Sequence, residues 1–255
     1  MSPFADHFTS QAEQYARWRP LYPPSLGRHL ASLAPSLDLA WDCGTGSGQA
    51  ARMLAESFRE VAATDPSAGQ LGQASPHPRI RYRQGRESES GLPPRSAGLV
   101  CAAQAAHWFD LPAFYAEAER VLVPGGVLAI WCYGRTGIDP EVDRAVAWLH
   151  DDRLAAHWPS ERAHVLDGYA RLFFPYETLP LPPFAIESPI SREALLGYLG
   201  SWSAVARCRR CEGVDPLAEV LPALERAWPD PESVKVVRWP IAVLAARAGL
   251  QRAKS

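Results

Sequence analysis

The stretch Leu39-Ala40-Trp41-Asp42-Cys43-Gly44-Thr45-Gly46-Ser47-Gly48 decides how this chain of 255 residues is read. A short apolar run, 37–42, ends in an acidic residue, three glycines alternate with small residues, and a helical pattern follows over Gln49 to Ser57. Glycine is needed where a backbone turns sharply, or where a ligand must approach with no Cβ in the way. In an open α/β sheet such a loop lies at the carboxyl end of the strands, where ligands bind. The neighbouring sequence keeps the same rhythm. Strands are expected over 60–64, 80–84, 97–103 and 127–132, and helices over 25–33 and 112–121. Alternation of this kind predicts an α/β fold, a mainly parallel sheet covered on both faces.

After residue 133 the rhythm breaks. Residues 139–170 read as helical, with Val142, Val146, Leu149 and Leu154 at helical spacing. The proline-rich 176–183 reads as a loop or edge, and 191–210 as one helix capped by Ser191. A last strand is expected over 234–245, where Pro240 predicts an edge or a bulge. The expected organisation is one domain over 1–255, with 1–35 as an N-terminal segment and helix, and 139–175 as a helical lid inserted over the sheet.

The loop also suggests a ligand. Asp65 ends the second strand, placed to accept hydrogen bonds from two ribose hydroxyls. Gly46-x-Gly48-x-x-Ala51 satisfies a loose dinucleotide pattern too. A dinucleotide brings a pyrophosphate, which Asp42 at the loop entrance would oppose. S-adenosylmethionine brings a cationic sulfonium and an ammonium, which a carboxylate attracts. Electrostatics therefore favours S-adenosylmethionine, with S-adenosylhomocysteine as product, over a dinucleotide or a loop that only turns the chain.

Composition narrows the partners. Lys plus Arg number 26 against 28 Asp plus Glu, a net charge of −2, so no basic excess points to nucleic acid. The cluster Arg207, Arg209, Arg210 beside Glu212 and Asp215 reads as a solvated helix end. The longest apolar run, Val127 to Tyr133, is too short to span a bilayer. The N-terminal residues lack the apolar segment of a signal peptide, and five cysteines without a framework spacing fit a reduced cytoplasm. Cys208-x-x-Cys211 reads as two helix cysteines one turn apart, since no second metal-ligand pair follows in the sequence, and no metal is expected.

Four further stretches carry a resemblance: Tyr15-x-x-x-Arg19-Pro20-x-Tyr22-Pro23, Gln104-Ala105-Ala106-His107-Trp108-Phe109-Asp110, Leu122-Val123-Pro124-Gly125-Gly126 and Ser201-Trp202-Ser203-Ala204-Val205. With the glycine loop they resemble a class I methyltransferase of the type 11 group, in the branch related to trans-aconitate methyltransferase. The resemblance implies a doubly wound, Rossmann-like sheet of seven strands, six parallel and one antiparallel. It implies methyl transfer from S-adenosylmethionine to an acceptor, expected to be a small molecule and conceivably a carboxylic acid. A non-catalytic adenosylmethionine-binding module and a protein methyltransferase are the alternatives. The cofactor residues implied are Tyr15, Arg19, Tyr22, Asp42, Gly44, Thr45, Gly46, Gly48, Asp65, Glu87, Gln104, His107 and Trp108. Two departures stand out. Arg86 precedes Glu87 where a small residue is usual, and Gly98 replaces the acidic residue that opens the fourth strand.

His107 is the candidate for chemistry. A neutral imidazole beside the transferred methyl can accept a proton from the acceptor. The alternative is packing, in which His107 and Trp108 hold the cofactor loop and proximity alone drives the transfer. Trp131, Trp148, Trp158 and Trp202 are expected mainly in lid and core packing.

Overall fold

A computed structural model describes residues 20–249. In chain order the elements are α1 (Pro24–Leu33), β1 (Leu39–Cys43), α2 (Gln49–Ala55), β2 (Glu60–Asp65), a short α3 (Ala68–Leu71), β3 (Ile80–Gln84) and β4 (Ala97–Ala103). A 3-10 turn at Ala106–Trp108 leads to α4 (Leu111–Val121) and β5 (Leu122–Tyr133). Next come α5 (Pro140–Ala147), a π-helical turn at Trp148–Arg153, a 3-10 turn at Ala155–His157 and α6 (Arg162–Leu166). The chain closes with β6 (Phe184–Ser191), α7 (Arg192–Gly200), α8 (Ser203–Glu212), α9 (Pro216–Ala227) and β7 (Val234–Arg247).

The seven strands form one sheet in the order β3-β2-β1-β4-β5-β7-β6. Strands β1 to β5 pair in parallel, while β7 runs antiparallel to both β5 and β6. Six strands therefore share one direction and β7 opposes them, as the resemblance implied. Burial follows strand geometry. Leu99, Cys101, Val127, Ala129 and Trp131 pack on the face carrying α1 and α2. The residues between them, Val100, Ala102, Leu128 and Ile130, pack on the face carrying α4. Successive side chains point to opposite faces, and because both faces are covered the strands read as continuous apolar runs.

Three expectations need correcting. Phe184–Ser191 is a full strand, β6, although it contains Pro189. It is an edge strand, where the nitrogen of Pro189 faces away from the one ladder that β6 makes. Pro240 marks neither an edge nor a bulge, because β7 lies between β5 and β6. Arg238 exchanges both backbone hydrogen bonds with Gly137, so the nitrogen of Pro240, two residues on, faces the same side. There β5 has ended at Tyr133, and no donor is missed. The single helix expected over 191–210 is broken at Ser201–Trp202 into α7 and α8, although Ser191 Oγ does cap its start by accepting from Ala194 N–H at 3.2 Å.

Between β5 and β6 the chain wraps over the carboxyl edge of the sheet. Val142, Val146, Leu149 and Leu154 pack on one face. Val165, Tyr169, Leu172 and Phe174 pack on the other. The helices here are short and interrupted, unlike the continuous 139–170 pattern expected. No described helix is long and apolar enough to cross a membrane.

Candidate functional site

Strand order reverses between β1 and β4, and the loops leaving these two strands diverge. A crevice at the carboxyl ends follows from that topology. It holds a cavity of about 700 Å³, counting its open mouth. Gly44, Thr45 and Gly46 form one wall and Gln104, Ala105 and Trp108 another, with Asp65 at one end.

The glycine loop is fastened from β2. Gly44 and Thr45 both donate to the Thr64 carbonyl, at 2.8 and 2.9 Å. Asp65 accepts from Gly46 N–H at 2.9 Å and from Ser67 N–H at 2.8 Å. Asp65 is only 6% exposed, and burial raises its pKa against those two bonds. The glycines have different reasons. A Cβ on Gly46 would meet nothing closer than Gln70 Oε1 at 3.8 Å, so that position leaves room for a ligand. A Cβ on Gly48 would strike the Tyr82 hydroxyl at 2.3 Å, so that glycine serves packing.

The sequence candidates separate into groups. Tyr22, Gly44, Thr45, Gly46, Asp65, Gln104 and Trp108 line the cavity. Tyr15 and Arg19 lie outside the described residues. Asp42, Gly48 and Glu87 do not line it. Asp42 is wholly buried beneath the loop, where its Oδ2 accepts the Thr45 hydroxyl at 2.6 Å and its Oδ1 the Cys101 thiol at 3.5 Å. Burial pushes its carboxyl up to about 6. Glu87 is held aside by the backbone N–H of Asp110, which donates to its Oε1 at 3.3 Å.

Gly98 also has a local explanation. A Cβ there would lie 2.0 Å from the Ser36 carbonyl oxygen, so no side chain of any kind fits at the start of β4. The bonds from Thr64 and Asp65 hold the loop in place of an acid at this position.

Sequence reading missed Ser67 and Gln70. The Ser67 side chain caps α3 by accepting from Gln70 N–H, a signal visible in Asp65-Pro66-Ser67. Gln70 Oε1 and Gln104 Oε1 are buried acceptors with no hydrogen-bond partner. Both residues line the cavity. Gln104 adopts φ 54° and is fixed by donating from its Nε2 to the Tyr133 carbonyl at 2.8 Å. Among the described residues the lining contains the Asp65 carboxylate and no Lys or Arg. Buried polar atoms require partners, so two orphan acceptors and a carboxylate suit a ligand rich in donors and positive charge. They do not suit a pyrophosphate.

A second cavity, about 580 Å³ counting its mouth, shares Gln104, Trp108 and Tyr133 with the first. His107, Trp158, Arg162, Tyr198, Trp202 and Ser203 are among its other lining residues. His107 lines this cavity and not the first. Burial, with the positive charge of Arg162, lowers its pKa to about 3. Its Nδ1 lies 2.9 Å from the Tyr169 hydroxyl. That hydroxyl accepts from the His107 backbone N–H, which leaves its own proton for Nδ1. Donation to Nδ1 leaves the imidazole proton on Nε2, an assignment made from the hydrogen-bond network. Trp158 and Trp202 line the cavity, whereas Trp131 is in the core and Trp148 is exposed.

A methyltransferase-domain family, type 11, matches residues 41–130. A Dictyostelium discoideum protein, provisionally described as a methyltransferase, is 33% identical over 231 residues, covering 88% of this chain and 87% of that protein. The chain belongs to the class I S-adenosylmethionine-dependent methyltransferases. A solved structure from Anaeromyxobacter dehalogenans, provisionally described as a type II methyltransferase, resembles this methyltransferase with a TM-score of 0.85. The two are 50% identical, over 90% of this chain and 98% of that one. Malonyl-[acyl-carrier protein] O-methyltransferase of Dechloromonas aromatica is 34% identical over 139 residues, 53% of the methyltransferase and 52% of that enzyme.

Proposed function

We propose that this methyltransferase methylates a carboxylate oxygen of a small-molecule acid, with S-adenosylmethionine in the first cavity, the acceptor in the second, and 139–175 as the cover over both. The observation that carries the reading is the second cavity. Among its described lining residues it holds the Arg162 guanidinium and the buried, unpartnered indole N–H of Trp202, and no Asp or Glu. A guanidinium and a desolvated N–H donor recognise an anion. The relative named for O-methylation of malonyl-acyl-carrier protein and the likeness to the trans-aconitate branch point the same way.

When bound, S-adenosylmethionine supplies a methyl group already activated on a cationic sulfur. Gly46 gives that cofactor a close approach, and Asp65 takes its ribose hydroxyls. Gln70 Oε1 and Gln104 Oε1 accept from its remaining donors. Gln104, Trp108 and Tyr133 border both cavities and align the acceptor with the methyl group, so proximity contributes most of the protein's share of catalysis. A carboxylate has no proton to lose at neutral pH, so no base is required. His107 is accordingly read as a donor to the acceptor through Nε2–H, since its low basicity makes it a poor proton acceptor.

The test is a panel of small carboxylic acids, amines and phenols incubated with labelled S-adenosylmethionine, scored for methyl ester and S-adenosylhomocysteine. Base-labile methyl esters are expected from acids, with the acceptor KM raised in Arg162→Met while S-adenosylhomocysteine affinity holds. Turnover of amines or phenols alone would overturn the carboxylate reading.

A further inference from the structure

A second cluster of ligating groups lies where the 155–157 turn meets α8. His157, Cys208 and Glu212 place one nitrogen, one sulfur and one oxygen within 4.8 Å of one another. Cys208 and Glu212 are one helical turn apart on α8, and His157 reaches them from a turn that is distant in sequence. Cys211, the other cysteine of the C-x-x-C pair, is exposed and takes no part. The pair noted in the sequence is thus split, and Cys208 finds its partners in space.

The surrounding charges are arranged in two shells. Glu212 Oε1 faces His157 Nε2 at 2.5 Å. Its Oε2 accepts from Arg153 Nη2 at 2.8 Å, and Arg153 Nε is bonded to both oxygens of Glu219 at 2.8 Å. Arg153 holds one Glu212 oxygen and leaves the other on His157, and it also lies against the Cys208 sulfur. This is how outer partners orient the inner ligands of a metal. The charges also balance. Cys208 thiolate and Glu212 neutralise a dication, and Arg153 neutralises Glu219.

We infer that His157 Nε2, Cys208 Sγ and Glu212 Oε1 form a site for a zinc-class divalent cation, with water as fourth ligand. Mixed nitrogen, sulfur and oxygen donors suit zinc, whereas calcium and magnesium require oxygen ligands. Binding releases the Cys208 thiol proton and leaves the neutral imidazole of His157 protonated on Nδ1. The cation then joins the turn before Trp158 to α8. Both neighbour the second cavity, since Trp158 and Ser203 line it. The site stands apart from methyl transfer and does not depend on the acceptor assignment.

Titration of the full-length protein with Zn2+ and, in parallel, Co2+ tests this. One cation per chain and a thiolate-to-cobalt charge-transfer band are expected. Outer-shell changes alone are worth roughly 10- to 100-fold in metal affinity, so loss of a ligand in Cys208→Ser should weaken Zn2+ by at least about 100-fold and abolish the band. Cys211→Ser should keep both. His157→Gln tests the site without touching the buried cysteine and should weaken Zn2+ similarly. Absence of stoichiometric binding overturns the assignment. So does undiminished binding in the Cys208 and His157 variants, or a band that follows Cys211.

Discussion

Replacing Asp65 by alanine separates the two jobs that its position gives it. The carboxylate accepts Gly46 N–H and Ser67 N–H, and it also lines the first cavity. A hydrogen bond to a charged group contributes about 1.5–3 kcal/mol, but cavity water can reach the two N–H groups after truncation. The expected loss of stability is therefore about 1–3 kcal/mol. Asp65 is buried, so its truncation reaches the fold as well as the ligand. Two ribose hydroxyls lost as ligands, at about 1.5 kcal/mol each, weaken S-adenosylhomocysteine by about 3 kcal/mol, roughly 150-fold. Asp65→Asn keeps the volume and one acceptor oxygen, so it should lie between the two. Thermal unfolding of the ligand-free protein and calorimetric titration with S-adenosylhomocysteine read the two effects separately. A lowered Tm with unchanged affinity would mean that Asp65 only fastens the loop and the ribose lies elsewhere. An unchanged Tm would refute the bridging role.

Restoring the usual acid with Gly98→Asp should cost at least about 2 kcal/mol, because the new Cβ would collide with the Ser36 carbonyl; a denaturation midpoint equal to the parent's would refute this. Burial raises the Asp42 pKa from 3.8 to about 6, so its protonated form is favoured on folding. That contribution, about 3 kcal/mol, is full below pH 4 and lost as pH rises through 6. Asp42→Asn should remove this slope, and parallel midpoint–pH curves for the two proteins would contradict it. His107 stays neutral well below its usual range, with a pKa of about 3. Turnover should therefore show no limb near pH 6.5, and His107→Gln should raise the acceptor KM while S-adenosylhomocysteine affinity holds; a lost pH 6.5 limb in that variant would restore the general base.

The parallel half of the fold was legible because its punctuation is local. Gly44 to Gly48 and Asp65-Pro66 each follow an apolar run and stand where a strand ends, whereas Pro124-Gly125-Gly126, expected as a turn before the strand at 127, lies inside β5 where its pairing with β4 shifts register. The C-terminal half was less so. Pro189 and Pro240 argue against strands from local chemistry, and only the pairing partners show that neither loses a ladder bond. The second cavity was hardest to read. His107, Arg162 and Trp202 come from three separate segments, and Tyr169, which fixes the imidazole proton, lies 62 residues from its partner. No spacing rule brings such residues together, because their convergence depends on how the chain between β5 and β6 crosses the sheet.

The choice of cofactor shows how a correct inference can rest on the wrong residue. From sequence, Asp42 was the charge that excluded a pyrophosphate. In the fold it is sealed under the loop, bonded to Thr45 and Cys101, and its raised pKa keeps part of its population neutral near pH 6. A carboxylate so placed contributes little directed attraction to a ligand. The discrimination belongs to the cavity wall, where Asp65 stands beside two buried amide oxygens and no guanidinium or ammonium is present among the described residues. A pyrophosphate there would meet the Asp65 carboxylate and two unpartnered amide oxygens with no cationic side chain in the described lining to offset them. A donor-rich cation satisfies them, and it does so whichever protonation state Asp42 holds.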